Sequence, residues 1–457
     1  MKARDMTVGN PYKNILLFSI PVLLGSLFQQ FYNLVDTIIV GRTLGPEALA
    51  AVGSSGSIVF FVFGFSGGIT QGFGVTIAQT FGARQYDRLK HLVATAIMMT
   101  LVVSLALSIP ALTFCRHFLR MMSTPQDIID SADSYLRVMF AGIIFCMSYN
   151  VAASILRAIG DSKSPLYFLI ISSFLNIGLD LLFILVFKLG VAGAAYATVL
   201  AQGVAAVLCF SYIFRNYDFL KIRKQDFYFD AFAIRRMLKI GIPMAINSSV
   251  TALGMMILQS GINQFGATVV ASYTASNKVE MLISQPMMAL GTTMSTYCGQ
   301  NMGARKNERI YKGIRNGMVI AVGIAAFGLV LYTFGSRFVI SWFIDHPTEE
   351  IFEYGLQYLN TSKWFLYALA LIYVFRSSLV GLNNGFIPMI GGILELICRF
   401  LCIQLLMEPF GYWSVRLTNP ITWLCTAILL GTAYFHWERK HKKQILSEKV
   451  LLGEDTF

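Results

Sequence analysis

The feature that most constrains this chain is the recurrence of long apolar runs broken by short basic clusters. A helix rises about 1.5 Å per residue, so about 20 apolar residues cross a hydrocarbon core of about 30 Å. Lipid offers the backbone no hydrogen-bond partner, which leaves the helix as the element able to fill such runs. Apolar runs read against charged or Gly/Pro/Asn breaks give twelve spans: 15–40, 49–80, 91–114, 135–158, 166–187, 190–214, 238–264, 268–298, 314–340, 358–382, 388–408 and 413–437. The expected fold is an all-α polytopic membrane protein with twelve transmembrane helices. Charged residues make up only 13% of the 457, against about 25% in soluble proteins. That is too little charge to cover a soluble surface. The first run is too long for the apolar part of a cleavable leader, so it is expected to remain as a span.

Twelve spans place both termini on one side. That side collects the basic clusters around Lys2, Arg4 and Lys13, around Arg84 to Lys90, from Arg215 to Lys239, from Arg305 to Arg315, and from Arg439 to Lys449. Arg157 and Lys163 fall on it too. The other side holds Arg42, Arg116, Arg120, Lys188, Arg337, Lys363 and Arg416. By the positive-inside rule the chain is a multi-pass protein of the cell inner (cytoplasmic) membrane with both termini cytoplasmic. The net charge of +12 thus orients the chain and implies no nucleic-acid partner. Asp127, Asp130 and Asp133 fall in one outside loop, and Asp345, Glu349, Glu350 and Glu353 in the equivalent loop of the second half.

The chain repeats. QTFGARQYDR at 79–88 aligns with QNMGARKNER at 300–309, Pro21 with Pro243, Gly45 with Gly266, and LRAIGDSKSP at 156–165 with LVGLNNGFIP at 379–388. Six spans per repeat give two six-helix lobes of the same topological sense, a parallel pseudo-two-fold arrangement that places a substrate path at the lobe interface. The expected organisation is an N-lobe at 1–214, a cytoplasmic loop at 215–237, a C-lobe at 238–437 and a cytoplasmic tail at 438–457. Pro165 and Pro388 suit the first turn of a helix. Pro21 and Pro243 lie inside spans, where each frees a carbonyl, and are hinge candidates.

Ionisable groups inside a span cost at least about 2.5–3.5 kcal/mol each, so they mark function or a paired contact. Gln29, Asn33 and Asp36 lie near one face of the first span, and Asn176 and Asp180 share a face of the fifth. Thr198 adds an oxygen in the sixth and Asn150 another in the fourth. Two carboxylates with amide and hydroxyl oxygens suit a hard monovalent cation or a proton-sharing pair, and the bland alternative is a hydrogen-bonded helix contact. The second half does not copy this cluster. Its polar candidates are Arg376, Glu395, Arg399 and Gln285, with Lys278 and Glu280 near one end of span eight. Glu395 and Arg399, at i and i+4, are expected to pair with each other.

Other chemistry is not visible. The seven cysteines sit in apolar stretches, and Cys398 and Cys402 share a face with no histidine to complete a metal site. The glycines of GFSGGITQGFG at 64–74 lie inside a span and read as close helix packing. No Walker sequence or histidine motif stands out, so no catalytic residue, cofactor or enzyme activity is expected.

The segment IPVLLGSLFQQFYNLVDTIIVGRTLGPEALAAVG resembles the opening of the multidrug and toxic compound extrusion (MATE) family, and LRAIGDSKSP, NIGLD and CGQNMGA are similar to its later signatures. The resemblance covers about residues 10–440. It implies two six-helix lobes around a V-shaped central cavity and export of amphipathic, often cationic, compounds by alternating access, coupled to H⁺ or Na⁺. It places the coupling ion on Asp36, Asn176, Asp180 and Thr198, with Asn150 nearby. Some branches also carry acids in spans seven and ten. Thr251 and Leu369 stand there, so the chain is more similar to the DNA-damage-inducible F-like branch. The expected partners are amphipathic substrates and membrane lipids, with the protein a monomer. A lipid-linked saccharide flippase is the alternative, which would need a strongly basic cavity.

Overall fold

The computed structural model describes residues 4–122, 124–344 and 348–451, with side chains as far as 442. Lys2, Asp345 and the side chains of Lys443 and Lys449 therefore lie outside the described residues. Helix α1 (Pro11–Leu44) starts where the Asn10 side chain accepts the Lys13 N–H and Pro11 needs no partner, and it ends at Gly45. Gly45 has φ 89°, a left-handed conformation open to glycine, and Pro46 then begins α2 (Pro46–Gly82). An Ala-Arg turn with Arg84 at φ 56° leads into α3 (Tyr86–Met121). Next come α4 (Ile129–Ala141) and α5 (Ile143–Ala158), bent by 46° at Gly142, then α6 (Lys163–Leu181) and α7 (Val191–Asn216).

The second half repeats the plan with α8 (Ala231–Ile262), α9 (Ala267–Gly303), α10 (Asn307–Val330), α11 (Ser336–Phe343), α12 (Glu349–Ser362), α13 (Leu366–Gly381), α14 (Phe386–Phe410) and α15 (Tyr412–Leu451). Gly266 takes the place of Gly45 with φ 86°, and Arg305 that of Arg84 with φ 56°. Pro165 and Pro388 fall in the first turns of α6 and α14. No strand occurs among the described residues.

Every expected span coincides with a helix or a broken pair. Among the described residues, nine are long and apolar enough to cross a membrane, or ten with the bent α4–α5 pair counted as one. The expected spans at 268–298 and 413–437 are helical, as α9 and α15, but more polar. The reason is visible in α9, whose Ser272, Ser276, Gln285, Thr293, Thr296, Gln300 and Asn301 are buried in protein. Such a helix needs less apolarity than one bathed in lipid. Two loop expectations change as well. Asp130 and Asp133 belong to α4, and Glu349, Glu350 and Glu353 to α12. There Arg116 reaches Asp130 at 2.8 Å and Arg337 reaches Glu349 at 2.5 Å, the same ion pair in both halves. The 215–237 segment is docked on α3 as more than a tether: Tyr217 and Leu220 are buried, and Tyr228 stacks on His91 at 3.7 Å.

The halves exchange the beginnings of their first helices. Ile15 and Phe18 of α1 pack in the core of α8–α15, whereas Val40 packs with α2–α7. Reciprocally, Ala233, Met237 and Ala245 of α8 join the first-half core, and Leu258 and Ile262 the second. The glycines of α2 make the seam, as close packing requires. A Cβ on Gly68 would stand 2.3 Å from the Ala245 nitrogen, and one on Gly72 2.5 Å from the Gly241 nitrogen.

The seam tightens toward the end that carries both termini. The Gln79 amide donates to the Gly381 carbonyl at 2.9 Å, and the repeat-equivalent Gln300 donates to the Ala158 carbonyl at 2.8 Å. Each glutamine thus caps the last turn of a helix in the other half. The segment 4–9 is drawn across this junction. The Met6 N–H donates to Gln300 Oε1 (2.9 Å), Arg309 and Lys306 donate to the carbonyls of Gly9 and Thr7, and Arg84 approaches Asp5 at 3.4 Å. At the opposite end of α2, Gly53 and Gly56 have nothing within 4 Å of where a Cβ would stand. The halves therefore meet at the terminal end and part toward the other.

Candidate functional site

Asp36 and Tyr32 face inward from α1, Asn176 and Asp180 from α6, and Thr198 and Gln202 from α7; Tyr135 closes the group from α4. The α1–α6 contact holds them in register, with Gly25 against Leu166 and Leu169. The carboxyl of Asp36 lies beside that of Asp180. Asp180 is fully buried and Asn176 nearly so. The Asn176 amide points its N–H toward Thr198 Oγ1 at 3.5 Å. Among the described residues, both carboxyl oxygens of Asp180, Asp36 Oδ1 and Asn176 Oδ1 have no hydrogen-bond partner. Two ionised carboxylates side by side and shielded from water repel each other strongly, and a shared proton or a cation between them relieves that repulsion. The unpartnered atoms are all hard oxygens, suited to either, and among the described residues no three of His, Cys, Asp and Glu come together.

Sequence spacing located Asp36, Asn176, Asp180 and Thr198 here, and the structure brings all four together. Asn150 is different. It lines a chamber of about 290 Å³ between the halves, with Gln71, Ser154, Arg157, Ser248 and Thr292, because Asn150, Ser154 and Arg157 fall on one face of α5. A smaller space of about 190 Å³ lies on the other side of Arg157, against Pro21, Gln29 and Tyr149. By sequence Arg157 belongs to the orienting charges at the membrane surface; the structure sets it in the wall of both spaces. Tyr32, Tyr135 and Gln202 were missed. Tyr32 sits one turn before Asp36, a signal that spacing alone could have used.

In the second half, Glu395 pairs with Arg376 of α13, and Arg399 approaches it only to 4.0 Å. The expected i,i+4 pair is therefore secondary. Arg376 comes from a neighbouring helix and needs no shared backbone geometry to meet the carboxylate. Gln285 is buried in α9. Lys278 is exposed, while Glu280 accepts from the Tyr358 hydroxyl at 2.7 Å and the Asn419 amide at 3.4 Å. Pro21 and Pro243 both lie within helices, as expected of hinge candidates.

Two repeated helical halves, closed at one end around a polar chamber and carrying a buried carboxyl pair in one of them, define a multi-pass membrane transporter built by duplication. The MatE family matches the chain twice, over residues 21–182 and 243–404, the two repeats found above. The chain belongs to this family. It is 31% identical over 436 residues to the "Probable multidrug resistance protein YpnP" of Bacillus subtilis (strain 168), covering 94% of this chain and 92% of that one. Among solved structures, a "MATE in the bent conformation" superposes with a TM-score of 0.89 at 24% identity, over 98% of this chain and 99% of that one. An "Outward-facing conformation of a multidrug resistance MATE family transporter of the MOP superfamily" does so with 0.87 at 25% identity, over 96% and 98%.

Proposed function

We propose that this protein is a secondary active multidrug antiporter of the cytoplasmic membrane, exporting amphipathic organic compounds, cationic ones among them, in exchange for H⁺ or Na⁺ by alternating access. The observation that carries this reading is the proximity of Asp36 and Asp180 inside the helices, where Asp36 Oδ1, both Asp180 oxygens and Asn176 Oδ1 are buried without a partner among the described residues. Binding a proton or a cation neutralises the pair. Only a ligand that favours one of two states shifts their balance, and this neutralisation supplies the difference. Asn176 and Thr198 orient the carboxyls, and Pro21, one helix segment away in α1, is where the helix would bend. The basic clusters at the terminal end support a cytoplasmic position for both termini, with the open side outward. The two lobes, 1–214 and 238–437, rock about the seam, and the protein acts as a monomer without a cofactor.

The test is gradient-driven dye efflux by purified protein in proteoliposomes, with an imposed pH or Na⁺ gradient. Asp36→Asn is expected to bind the dye yet lose the gradient-dependent component. Gradient-dependent efflux at the wild-type rate, at equal protein content, would refute the mechanism. The gradient that drives wild-type efflux identifies the ion.

A further inference from the structure

Arg157 is a cation in the wrong company for a purely cation-exporting chamber. It stands in the last turn of α5 and lines both inter-lobe spaces. Asp161, one turn further on, is committed elsewhere: it accepts from the Ser164 hydroxyl at 2.6 Å and the Tyr217 hydroxyl at 2.8 Å. Other arginines of the interior do meet a partner: Arg376 pairs with Glu395, which Arg399 approaches to 4.0 Å, Arg236 donates to Gln79 Oε1 at 2.7 Å, and Arg309 donates to backbone carbonyls. Among the described residues the Arg157 guanidinium makes no ion pair and no hydrogen bond, and neither space it lines contains an Asp or Glu.

We propose that Arg157, with Gln71, Asn150, Ser154 and Thr292 around it, is a subsite for an anionic oxygen group, so that the preferred cargo is an amphiphile bearing a carboxylate, sulfonate or phosphate. This inference rests on the reading of the protein as an exporter and names its substrate class. The Arg157 guanidinium is half-buried and faces both spaces, and its planar fork matches such an oxygen group with two parallel bonds. Amide and hydroxyl donors complete the set. The chamber is sized for a head group, and the apolar body would extend into the wider cleft. Arg157 also adjoins Ala158, whose carbonyl takes the Gln300 amide, so a bound anion sits one residue from the contact that closes the terminal end.

The test uses rhodamine 110, which carries a free carboxylate, and rhodamine 123, its cationic methyl ester. The pair differ in that group alone. Equilibrium binding is measured by fluorescence anisotropy on the full-length protein in nanodiscs, with no gradient. The wild type is expected to bind rhodamine 110 about tenfold or more tightly than rhodamine 123. Arg157→Gln is expected to abolish this preference while leaving rhodamine 123 within about twofold, and Arg157→Lys to keep part of it. Equal binding of the two dyes by wild type overturns the proposal, and this arm needs no variant to fold. So does an equal weakening of both dyes by Arg157→Gln. Comparing phosphatidylcholine with phosphatidylglycerol discs identifies the source of the anion. A preference lost only in phosphatidylglycerol shows that the subsite takes a lipid head group, and one kept in both assigns it to the soluble amphiphile. Gradient-driven efflux without a carboxylate preference sinks this inference alone, whereas a carboxylate preference without gradient-driven efflux sinks the antiport reading alone.

Discussion

Replacing Gln300 with leucine tests whether the crossed glutamines hold the terminal end shut. Gln300 is fully buried and makes two bonds there, accepting from the Met6 N–H at 2.9 Å and donating to the Ala158 carbonyl at 2.8 Å. Leucine fills the volume and leaves one donor and one acceptor stranded. Each stranded group costs about 1–3 kcal/mol when it is kept from water. In a state where the two halves separate at this end, both groups would reach water and the cost would vanish. The substitution should therefore penalise the closed arrangement by about 2–6 kcal/mol, a shift of at least roughly 30-fold in the balance between states. Nitroxides on Asp87 and Glu308, exposed and equivalent in the repeat, would report the separation by pulsed electron–electron double resonance. The wild type should show one short distance and Gln300→Leu a second, longer population. Identical distributions in a variant of unchanged fold would show that these bonds do not set the closure.

A steric version of the same experiment is Gly303→Ala. Its Cβ would stand 1.7 Å from the Gln79 backbone oxygen, which cannot swing aside as a side chain would, so the spin-label distance should lengthen again. The predicted cost to the closed form is upward of about 2 kcal/mol. Asp230 caps α8 and offers a pH test outside the membrane. The Ala233 N–H, with the Phe232 N–H and the His91 ring behind it, holds this carboxyl below its usual range. A depressed folded value stabilises above the ordinary carboxylate range and fades as pH falls through the folded value. Asp230→Ala should thus lower thermal stability at neutral pH by about 1 kcal/mol, and the gap should close in acid. A gap that persists at low pH would mean that the charged cap is not its cause.

Much of the fold could be read along the chain because membrane insertion is governed by local quantities. Run length, flanking charge and turn residues locate a helix or a broken pair for each of the twelve spans, and the duplication shows in Gly45 and Gly266 without reference to packing. The two polar helices, α9 and α15, were found by length and breaks although lipid alone would not have selected them. The bend at Gly142 was not foreseen, because a glycine inside an apolar run carries no periodic signal of its own. The docking of 215–237 was hidden as well, since the stacking of Tyr228 on His91 joins residues far apart in sequence.

The sequence by itself determined the medium, the helices, the repeat and the two aspartates. Each follows from cost: an apolar run belongs in lipid, and a retained carboxylate there must have a reason. Tertiary structure alone decided who meets whom. It set Asp180 beside Asp36, put Asn150 in the chamber wall, and gave Glu395 to Arg376 ahead of its own helix neighbour. It also carried Arg157 from the ranks of orienting surface charges to the wall of the chamber. The physical reason is that periodicity fixes which face of a helix a residue occupies, but only the packing of neighbouring helices determines what that face looks upon.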